Sequence, residues 1–339
     1  MKKRKAVTIS DIAQKAGVSI STVSHVLNNT ATISAETKQR VLAAVNQLNY
    51  TYYRSDMSKN FKRNQIAVMV PDISNEFYTN CMRAINIAAW EKGYTTLICE
   101  MCQDEDAQMR YLQNIIHSDI DGIIFLGGFL KEKHLLEAAK YLPVILGDRK
   151  LLNHPMPTVQ TDNIAVMRRL IAMLYGAGYR KIGLISEDLE MTNIIDRYMG
   201  FKMGLEENGL LFDESYIFCS KGLRLNKLKN AYTFTQQIIN NKTPLPEVFV
   251  TTSDLIALGA MNALKEGGLS LPWDIGITGF DDIAIAAHAR PALTTVAQNM
   301  EKLGFECFNS LYERIKFPTI DIHHTVVDAQ IISRGSVVL

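Results

Sequence analysis

Apolar residues near the start of the chain recur three and four positions apart, the spacing of one helix face. Between Thr8 and Gly17 these positions are Ile9, Ile12, Ala13 and Ala16. Thr8 and Asp11 have the spacing of a capping box, in which a hydroxyl and a later acid satisfy the first backbone N–H groups. Gly17 predicts the end of the helix, because glycine adopts the left-handed backbone of a helix C-terminus without strain.

Two further short helices are predicted from the same spacing. Ser19 can cap the second, whose predicted buried side is Val23, Val26 and Leu27. Ser34 can cap the third, whose apolar positions are Val41, Leu42, Val45 and Leu48. Two short helices joined at a glycine turn, with a third that completes a small core, predict a helix-turn-helix module.

The second helix has a face that the predicted core does not use. The residues on this face are Ile20, Ser21, Ser24, His25 and Asn28. Small side chains near the helix start would let the backbone enter the major groove of DNA. The hydroxyl and amide groups could then contact phosphates and base edges. A generic three-helix bundle is the alternative, but it would not need this polar face.

From Gln65 onward, short apolar runs alternate with helical patterns. The predicted strands are 66–70, 96–98, 122–126, 144–146, 181–185, 248–250 and 275–278. The predicted helices contain residues 82–90, 106–116, 135–141, 164–175, 197–207, 255–266 and 300–315. Alternation of this kind indicates parallel sheets covered on both faces. Because the rhythm occurs twice, we expect two doubly wound lobes with a ligand cleft between them.

Polar side chains collect where the predicted strands end. They are Asp72, Asn75, Asp148, Arg149, Ser253, Asp254, Asp281 and Asp282. Each could simply cap a helix or pair at a sheet edge, and Asp254 and Asp282 fit that role best. Carboxylates and an amide that face a cleft beside Phe77 or Phe280 suit a hydroxyl-rich ligand, because the acids accept hydrogen bonds from hydroxyls.

Charge is unevenly divided along the 339 residues. Residues 1–63 contain 11 Lys and Arg but three acids, a net charge of +8, which leaves −7 for the remainder. A basic module on an acidic body predicts that one end meets a polyanion. We expect a cytoplasmic protein, because the basic start lacks an apolar signal region and no apolar run is long enough to span a membrane.

Motifs for catalysis, metals and cofactors do not occur in the sequence. There is no phosphate-binding glycine loop, no H-E-x-x-H and no G-x-S-x-G. Cys99 and Cys102 form a lone C-x-x-C without a second pair at metal-ligand spacing. Asp148 and Asp281 could resemble a glycosidase pair, but they read better as acceptors for bound hydroxyls. We therefore expect no enzyme activity, no cofactor and no metal.

Residues 7–13, 16–19, 22–24 and 26–28, with Ser34, Thr37, Val41 and 48–50, resemble the headpiece of the LacI/GalR family. The resemblance implies that Ile20, Ser21 and His25 touch bases. It also makes four residues candidates for phosphate contacts: Thr8, Ser19, Thr22 and Asn29. The family usually has arginine at position 25, and histidine cannot make the bidentate contact to guanine.

The segment that follows departs from the family pattern. Tyr52 replaces a proline, and Lys59 lies where a leucine normally wedges into the minor groove, so the resemblance leaves open whether this segment kinks the DNA. Arg54 and Lys59 still suit a linker that follows phosphates.

The body also resembles this family, in residues 71–78, 162–163, 197–201, 254–260, 279–283, 290–296 and 303–304. The resemblance implies a periplasmic-binding-protein-like sensor with these effector-binding residues: Asp72, Asn75, Phe77, Asp148, Arg197, Ser253 and Asp281. Residue 253 is usually asparagine, and residues 219–230 do not fit the pattern, so the resemblance leaves the ligand open.

The resemblance divides the chain into a headpiece (1–50), a linker (51–64) and a body (65–339). The N-lobe is expected at about 65–160 and 292–321, and the C-lobe at about 161–291 and 322–339, with crossings near Gln160, Pro291 and Asp321. We expect a homodimeric repressor whose affinity for double-stranded operator DNA is modulated by a sugar or nucleoside. Two alternatives stay open: a sugar-binding protein without gene regulation, and a DNA-binding regulator that has lost effector sensing.

Overall fold

The computed structural model describes residues 8–28, 31, 33–48, 64–101 and 104–339. The chain separates into one unit of residues 1–63 and a second unit of residues 64–339, and each is described by itself. None of the helices in the described ranges combines the length and apolarity needed to cross a membrane.

The described part of the first unit contains three helices: α1 (Ile9–Ala16), α2 (Ile20–Asn28) and α3 (Ala35–Gln47). The predicted capping box is confirmed, because the Thr8 hydroxyl accepts from the Asp11 N–H and the Asp11 carboxylate accepts from the Thr8 N–H. Gly17 ends α1 with φ of 64°. The backbone can therefore turn sharply into α2 without the strain that a side chain would cause.

The three helices share one small core. Its buried residues are Ile12, Ala13, Ala16, Val23, Val26, Val41 and Ala44. Arg40 on α3 adds a polar tie, donating to the carbonyl oxygens of Ala16 (2.7 Å) and Gly17 (3.1 Å). A guanidinium at these carbonyls satisfies acceptors that the end of α1 leaves without intrahelical partners. The turn between α1 and α2 is thus fixed from two sides.

The second unit contains two six-stranded sheets. The first consists of β1 (Gln65–Val70), β2 (Thr95–Glu100), β3 (Gly122–Leu126), β4 (Val144–Gly147), β5 (Thr158–Thr161) and β11 (His324–Val327). Their order across the sheet is β11-β5-β4-β3-β1-β2, and every pairing is parallel. Strand β3 is buried along its whole length, as expected for a parallel sheet covered on both faces.

The second sheet consists of β6 (Ile182–Glu187), β7 (Ile217–Ser220), β8 (Val248–Thr251), β9 (Gly276–Asp281), β10 (Thr294–Gln298) and β12 (Ala329–Ile332). Their order is β12-β10-β9-β8-β6-β7, and the edge strand β12 alone among them pairs antiparallel. The two sheets have the same plan, which confirms the predicted pair of doubly wound lobes.

Helices cover both sheets. Those of the first lobe are α4 (Glu76–Glu91), α5 (Glu105–Ile116), α6 (Glu132–Ala139) and α12 (Met300–Lys316). Those of the second lobe are α7 (Asn163–Gly176), α8 (Thr192–Glu207), α9 (Lys227–Asn240), α10 (Asp254–Glu266) and α11 (Ala284–His288). Two short 3₁₀ helices, Glu214–Tyr216 and Lys221–Arg224, flank β7. The α/β class with an all-α N-terminal module is confirmed.

The chain crosses between the lobes three times, but two of the expected crossing points are wrong. The first crossing follows β5 at Thr161, close to the expected Gln160. The second was expected near Pro291, yet the chain stays in the second lobe through Gln298, because β10 pairs with both β9 and β12. The third was expected near Asp321. It lies instead between β11 and β12, because residues 324–327 still pair with β5 in the first lobe.

Candidate functional sites

Helix α2 divides sharply into a buried and an exposed side. Val23 is fully buried and Val26 nearly so, whereas Ile20 keeps 56% of its surface exposed. Ser21 and His25 are also exposed, on the side away from the core. An apolar side chain, a hydroxyl and an imidazole on one short helix can meet thymine methyl groups and base edges in a major groove.

The hydroxyls at the start of α2 already have partners in the chain. The Ser19 hydroxyl accepts from the Thr22 backbone N–H (3.1 Å) and lies 2.8 Å from the hydroxyl oxygens of both Ser21 and Thr22. Ser24 is half-buried. Asn29, Arg54 and Lys59 lie outside the described residues, as does the side chain of Asn28.

Six of the seven predicted effector residues line one cleft between the two lobes of the second unit. They are Asp72, Asn75, Phe77, Asp148, Arg197 and Asp281. The cleft forms because parallel strands of both sheets end at facing edges. The seventh, Ser253, precedes α10 with its side chain fully buried, and it is not among the residues that line the cleft.

Asp148 follows β4 and is a buried acid of the cleft. Its backbone has φ of 52°, its side chain is buried, and one carboxylate oxygen, Oδ2, accepts from Asn193 Nδ2 at 2.8 Å. The other oxygen, Oδ1, has no hydrogen-bond partner within the described chain and lies 3.7 Å from Arg197 Nη2. Burial raises the pKa of Asp148 to about 6, although Arg197 lowers it and Asp281 raises it further.

Arg197 on α8 is held in place by neutral partners. Its Nε donates to Asn163 Oδ1 (2.9 Å), and its Nη1 donates to the carbonyl oxygen of Thr252 (2.6 Å). The guanidinium carbon lies 3.7 Å from the centre of the Phe280 ring, a cation–π arrangement that fixes the plane of the group. Arg197 therefore presents a rigid donor edge to Asp148 and to the cleft.

Asp281 ends β9 and is connected to the crossings between the lobes. It accepts from Gln298 Nε2 at 2.8 Å, and Gln298 Oε1 in turn accepts from the Thr161 hydroxyl at 2.7 Å. Burial raises the pKa of Asp281, against the lowering effect of Arg197 and Lys227. Gln298 and Thr161 end the strands β10 and β5, so this chain of hydrogen bonds joins a cleft carboxylate to two crossings.

The loop after β1 supplies the opposite wall. Asp72 accepts from the backbone N–H (2.8 Å) and hydroxyl (2.6 Å) of Ser74, which shapes the loop. Asn75 caps α4 by accepting from the Phe77 N–H at 3.0 Å. This bond aims the first turn of α4 at the cleft and places the buried Phe77 ring on its wall.

Tyr78, next on α4, also lines the cleft and was not predicted. A side chain at Gly127 would come within 2.9 Å of its hydroxyl oxygen, so the tyrosine depends on the glycine after β3. Burial raises the pKa of Tyr78, and Asp148 and Asp281 raise it further. The phenol thus stays protonated and able to donate.

The second lobe contributes four more polar residues that sequence reasoning missed: Glu187, Asn193, Arg224 and Lys227. Glu187 pairs with Lys227 and accepts from the Thr252 hydroxyl. Burial acts to raise the pKa of Glu187, but Lys227 and the hydrogen bonds outweigh it, so the pKa lies below its usual range. Arg224 pairs with Asp188 and Glu190.

Comparison with known proteins identifies both parts of the chain. A family model described as "Bacterial regulatory proteins, lacI family" matches residues 8–52, and one described as "Periplasmic binding protein-like domain" matches residues 171–337. The chain is 31% identical to the HTH-type transcriptional repressor CytR of Escherichia coli (strain K12) over 345 residues, which cover 99% of this chain and 97% of that protein. It is 34% identical to the HTH-type transcriptional regulator DegA of Bacillus subtilis (strain 168) over 306 residues, 88% of each.

Solved structures show the same fold. The transcriptional regulator CelR–cellobiose complex superposes with a TM-score of 0.74 at 23% identity, covering 97% of this chain and 99% of that one. The lac repressor dimer bound to operator and the anti-inducer ONPF gives a TM-score of 0.73 at 22% identity, covering 99% and 100%. With the full-length match to CytR, these findings show that the chain belongs to the LacI family of DNA-binding transcriptional regulators.

Proposed function

We propose that this chain is a cytoplasmic, homodimeric repressor whose helix α2 reads a pseudo-palindromic operator, and whose operator affinity changes when a small hydroxyl-rich effector enters the cleft. The observation that carries the effector assignment is the buried Asp148 oxygen Oδ1, which lacks a hydrogen-bond partner within the described residues. A buried acceptor left unpaired is costly, so a ligand hydroxyl that donates to it would gain affinity.

Helix α2 would supply the base contacts. Ile20, Ser21 and His25 form its exposed face, and the net charge of +8 over residues 1–63 favours a polyanion. Phosphate contacts are proposed for the polar side chains of this module. They are Thr8, Ser19, Thr22, Ser24, Asn28, Asn29, Arg54 and Lys59. Histidine at position 25 cannot make the bidentate contact by which an arginine selects guanine, so the base preferred there is left to experiment.

The rest of the cleft suits rings with several hydroxyls. Asp148 and Asp281 are acceptors, Arg197 and Asn75 offer donors, and Phe77 gives an apolar wall. Paired acceptors and donors beside an aromatic face are the requirements of a sugar or of the ribose of a nucleoside. Relatives support this class in general terms, since the CelR structure contains cellobiose and a related LacI-family regulator of Enterococcus faecium contains ribose.

A dimer is supported by the edge of the first sheet. Strand β2 is an edge strand whose Leu97 and Ile98 are 37% and 50% exposed, and α4, which packs on β2, exposes 77% of Trp90. Exposed apolar residues that cluster at one edge mark an interaction surface. A second copy related by a two-fold axis would bury them and would place two headpieces on two half-sites.

Selection of bound sites from random duplex DNA, with the purified full-length protein, tests the proposal. We expect an enriched pseudo-palindrome, and a change in affinity for it in the presence of at least one sugar or nucleoside from a broad panel. Asp148→Asn should keep the operator affinity and lose the effector response. Enrichment without any effector response would instead favour a regulator that has lost sensing, and no enrichment would contradict the proposal.

A further inference from the structure

The cleft consists of two connected spaces of very different size. The inner pocket, lined by the residues described above, has about 40 Å³ of open space, whereas an outer chamber at its mouth has about 540 Å³. Pro71, Phe129 and Arg224 line both spaces and so form the boundary between them. A ring that enters the inner pocket must shift lobes or side chains, but the chamber beyond it already has room for a substituent.

The two spaces differ in their balance of charge. The inner pocket has four acids, Asp72, Asp148, Glu187 and Asp281, against three cations, Arg197, Lys227 and the shared Arg224. The outer chamber is lined instead by groups that can donate, namely Gln108, Lys131, Lys221, Arg224, Asn226 and Asn230. Glu190 is the one acidic residue among the described residues that line the chamber. The chamber therefore has an excess of positive charge, and the inner pocket has an excess of acceptors.

The cationic part of the chamber is built into the fold. The 3₁₀ helix Lys221–Arg224 is anchored by the buried Leu223. It is also fastened by Asn230 Nδ2, which donates to the carbonyl oxygens of Gly222 (2.7 Å) and Leu225 (2.8 Å). Because these contacts fix the loop, the backbone of Lys221 and Arg224 is held at the chamber wall before any ligand arrives.

Arg224 also reaches across the cleft. Its guanidinium carbon lies 4.9 Å from the centre of the Phe129 ring, which belongs to the first lobe. The same group pairs with Asp188 and Glu190 of the second lobe. Arg224 is thus oriented at the boundary between the two spaces. A ligand that extends from the acceptors of the inner pocket to the donors of the chamber would pass this residue.

We propose that the effector is a hydroxylated ring with a terminal anionic group, either phosphate or carboxylate. Its hydroxyls donate to Asp148 and Asp281 in the inner pocket, and its anion lies in the outer chamber against Lys221 and Arg224. This inference rests on the proposed function, because it specifies the ligand of the same cleft. The opposite signs of the two spaces give such a ligand one orientation.

Matched ligands test the inference by isothermal titration calorimetry with the full-length protein. The panel contains neutral monosaccharides and nucleosides, their phosphate esters, the corresponding sugar acids and neutral disaccharides. We expect the best anionic ligand to bind at least about tenfold more tightly than its neutral parent at low salt, and this advantage to shrink as salt screens the charges. Comparison of the ester with the acid distinguishes phosphate from carboxylate.

Lys221→Gln provides the residue-level test, and Lys229→Gln is its matched control. Both lysines are exposed, but Lys229 does not line the chamber. Lys221→Gln should weaken the anionic ligand several-fold and leave its neutral parent unchanged, whereas Lys229→Gln should change neither. Equal affinities for neutral and anionic ligands, or equal effects of the two variants, would overturn the inference alone. Absence of binding by every ligand would count against the proposed effector sensing as well.

Discussion

The face of α2 and the cleft of the second unit represent two opposite ways of presenting polar groups. On α2, Ser21 and His25 are exposed to water, so their recognition power depends on shape and on a strongly charged partner. In the cleft, Asp148 and Arg197 are buried, and their charges have already lost their hydration. The comparison teaches that polar groups act by different physics in the two places: exposed groups are expected to discriminate through fit, and a buried acid through an unmade hydrogen bond and a shifted pKa.

The largest effect should come from breaking the core under α2. Val23 is fully buried on the side of α2 opposite to its exposed face. Val23→Asn would bury an amide without a partner, at a cost of a few kcal/mol that a three-helix module of this size cannot absorb. We expect specific DNA binding to fall at least about 100-fold, while effector binding by the body is retained.

Gln14→Asn, an exposed change on α1, is the control and should bind DNA normally. Electrophoretic mobility shift and calorimetry with the effector measure the two activities on the same preparation. Loss of effector binding in Val23→Asn would show that the two regions do not act separately.

A smaller effect is expected in the cleft, as a dependence on pH. Because the pKa of Asp148 is about 6, the side chain loses its negative charge as the pH falls below that value, and one of its two acceptor oxygens becomes a hydroxyl donor. Affinity for a neutral hydroxylated ligand should be constant above pH 6 and should weaken below it. The loss should approach about tenfold per pH unit well below pH 6. Asp148→Asn should bind more weakly at pH 8 and lack the step near pH 6. The same step in both proteins would assign the titration to another group.

The smallest effect concerns stability and a buried acid beside the cleft. Asp254 accepts from the Ile283 N–H at 2.9 Å and from the Thr295 hydroxyl, and burial, followed by Asp281, raises its pKa. An acid whose folded pKa exceeds its unfolded value near 4 destabilises the fold as the pH rises through that interval. The free energy of unfolding should therefore decline less steeply with rising pH in Asp254→Asn than in the unaltered protein.

Chemical denaturation at several pH values between about 4 and 8 measures this difference. Asp274→Asn, in an exposed turn, serves as the control for a simple change of net charge. Parallel curves for Asp254→Asn and the unaltered protein would contradict the expectation.

Sequence predicted the headpiece closely because its signals are local. The capping box of Thr8 and Asp11, the turn at Gly17 and the apolar spacing of α1 each involve residues within one or two helical turns. The fold class and the family resemblance, both confirmed, also rest on patterns that are visible along the chain, such as the alternation of strands and helices. Strand ends also located Asp148 and Asp281 in the cleft.

The rest of the cleft depends on contacts between distant residues. Glu187 was missed because β6 runs two residues past the predicted end at Ile185. Glu187 was therefore not recognised as a residue at the end of a strand. Lys227 lies in the segment that fits no family pattern, and only the fold brings it to Glu187. Ser253 does lie after a strand, but the beginning of α10 turns it into the interior.

Gln298 gives the molecule a feature that a rigid receptor would not need. Its side-chain amide donates to Asp281, the acid that is proposed to bind the ligand, and accepts from the hydroxyl of Thr161, which ends β5 at the first crossing between the lobes. Any rotation of one lobe about the other must carry this amide along or exchange its partners. Occupancy of the cleft and the angle between the lobes would therefore be coupled at this glutamine, alongside the contacts that Asn193 and Arg197 make with Asp148 across the cleft.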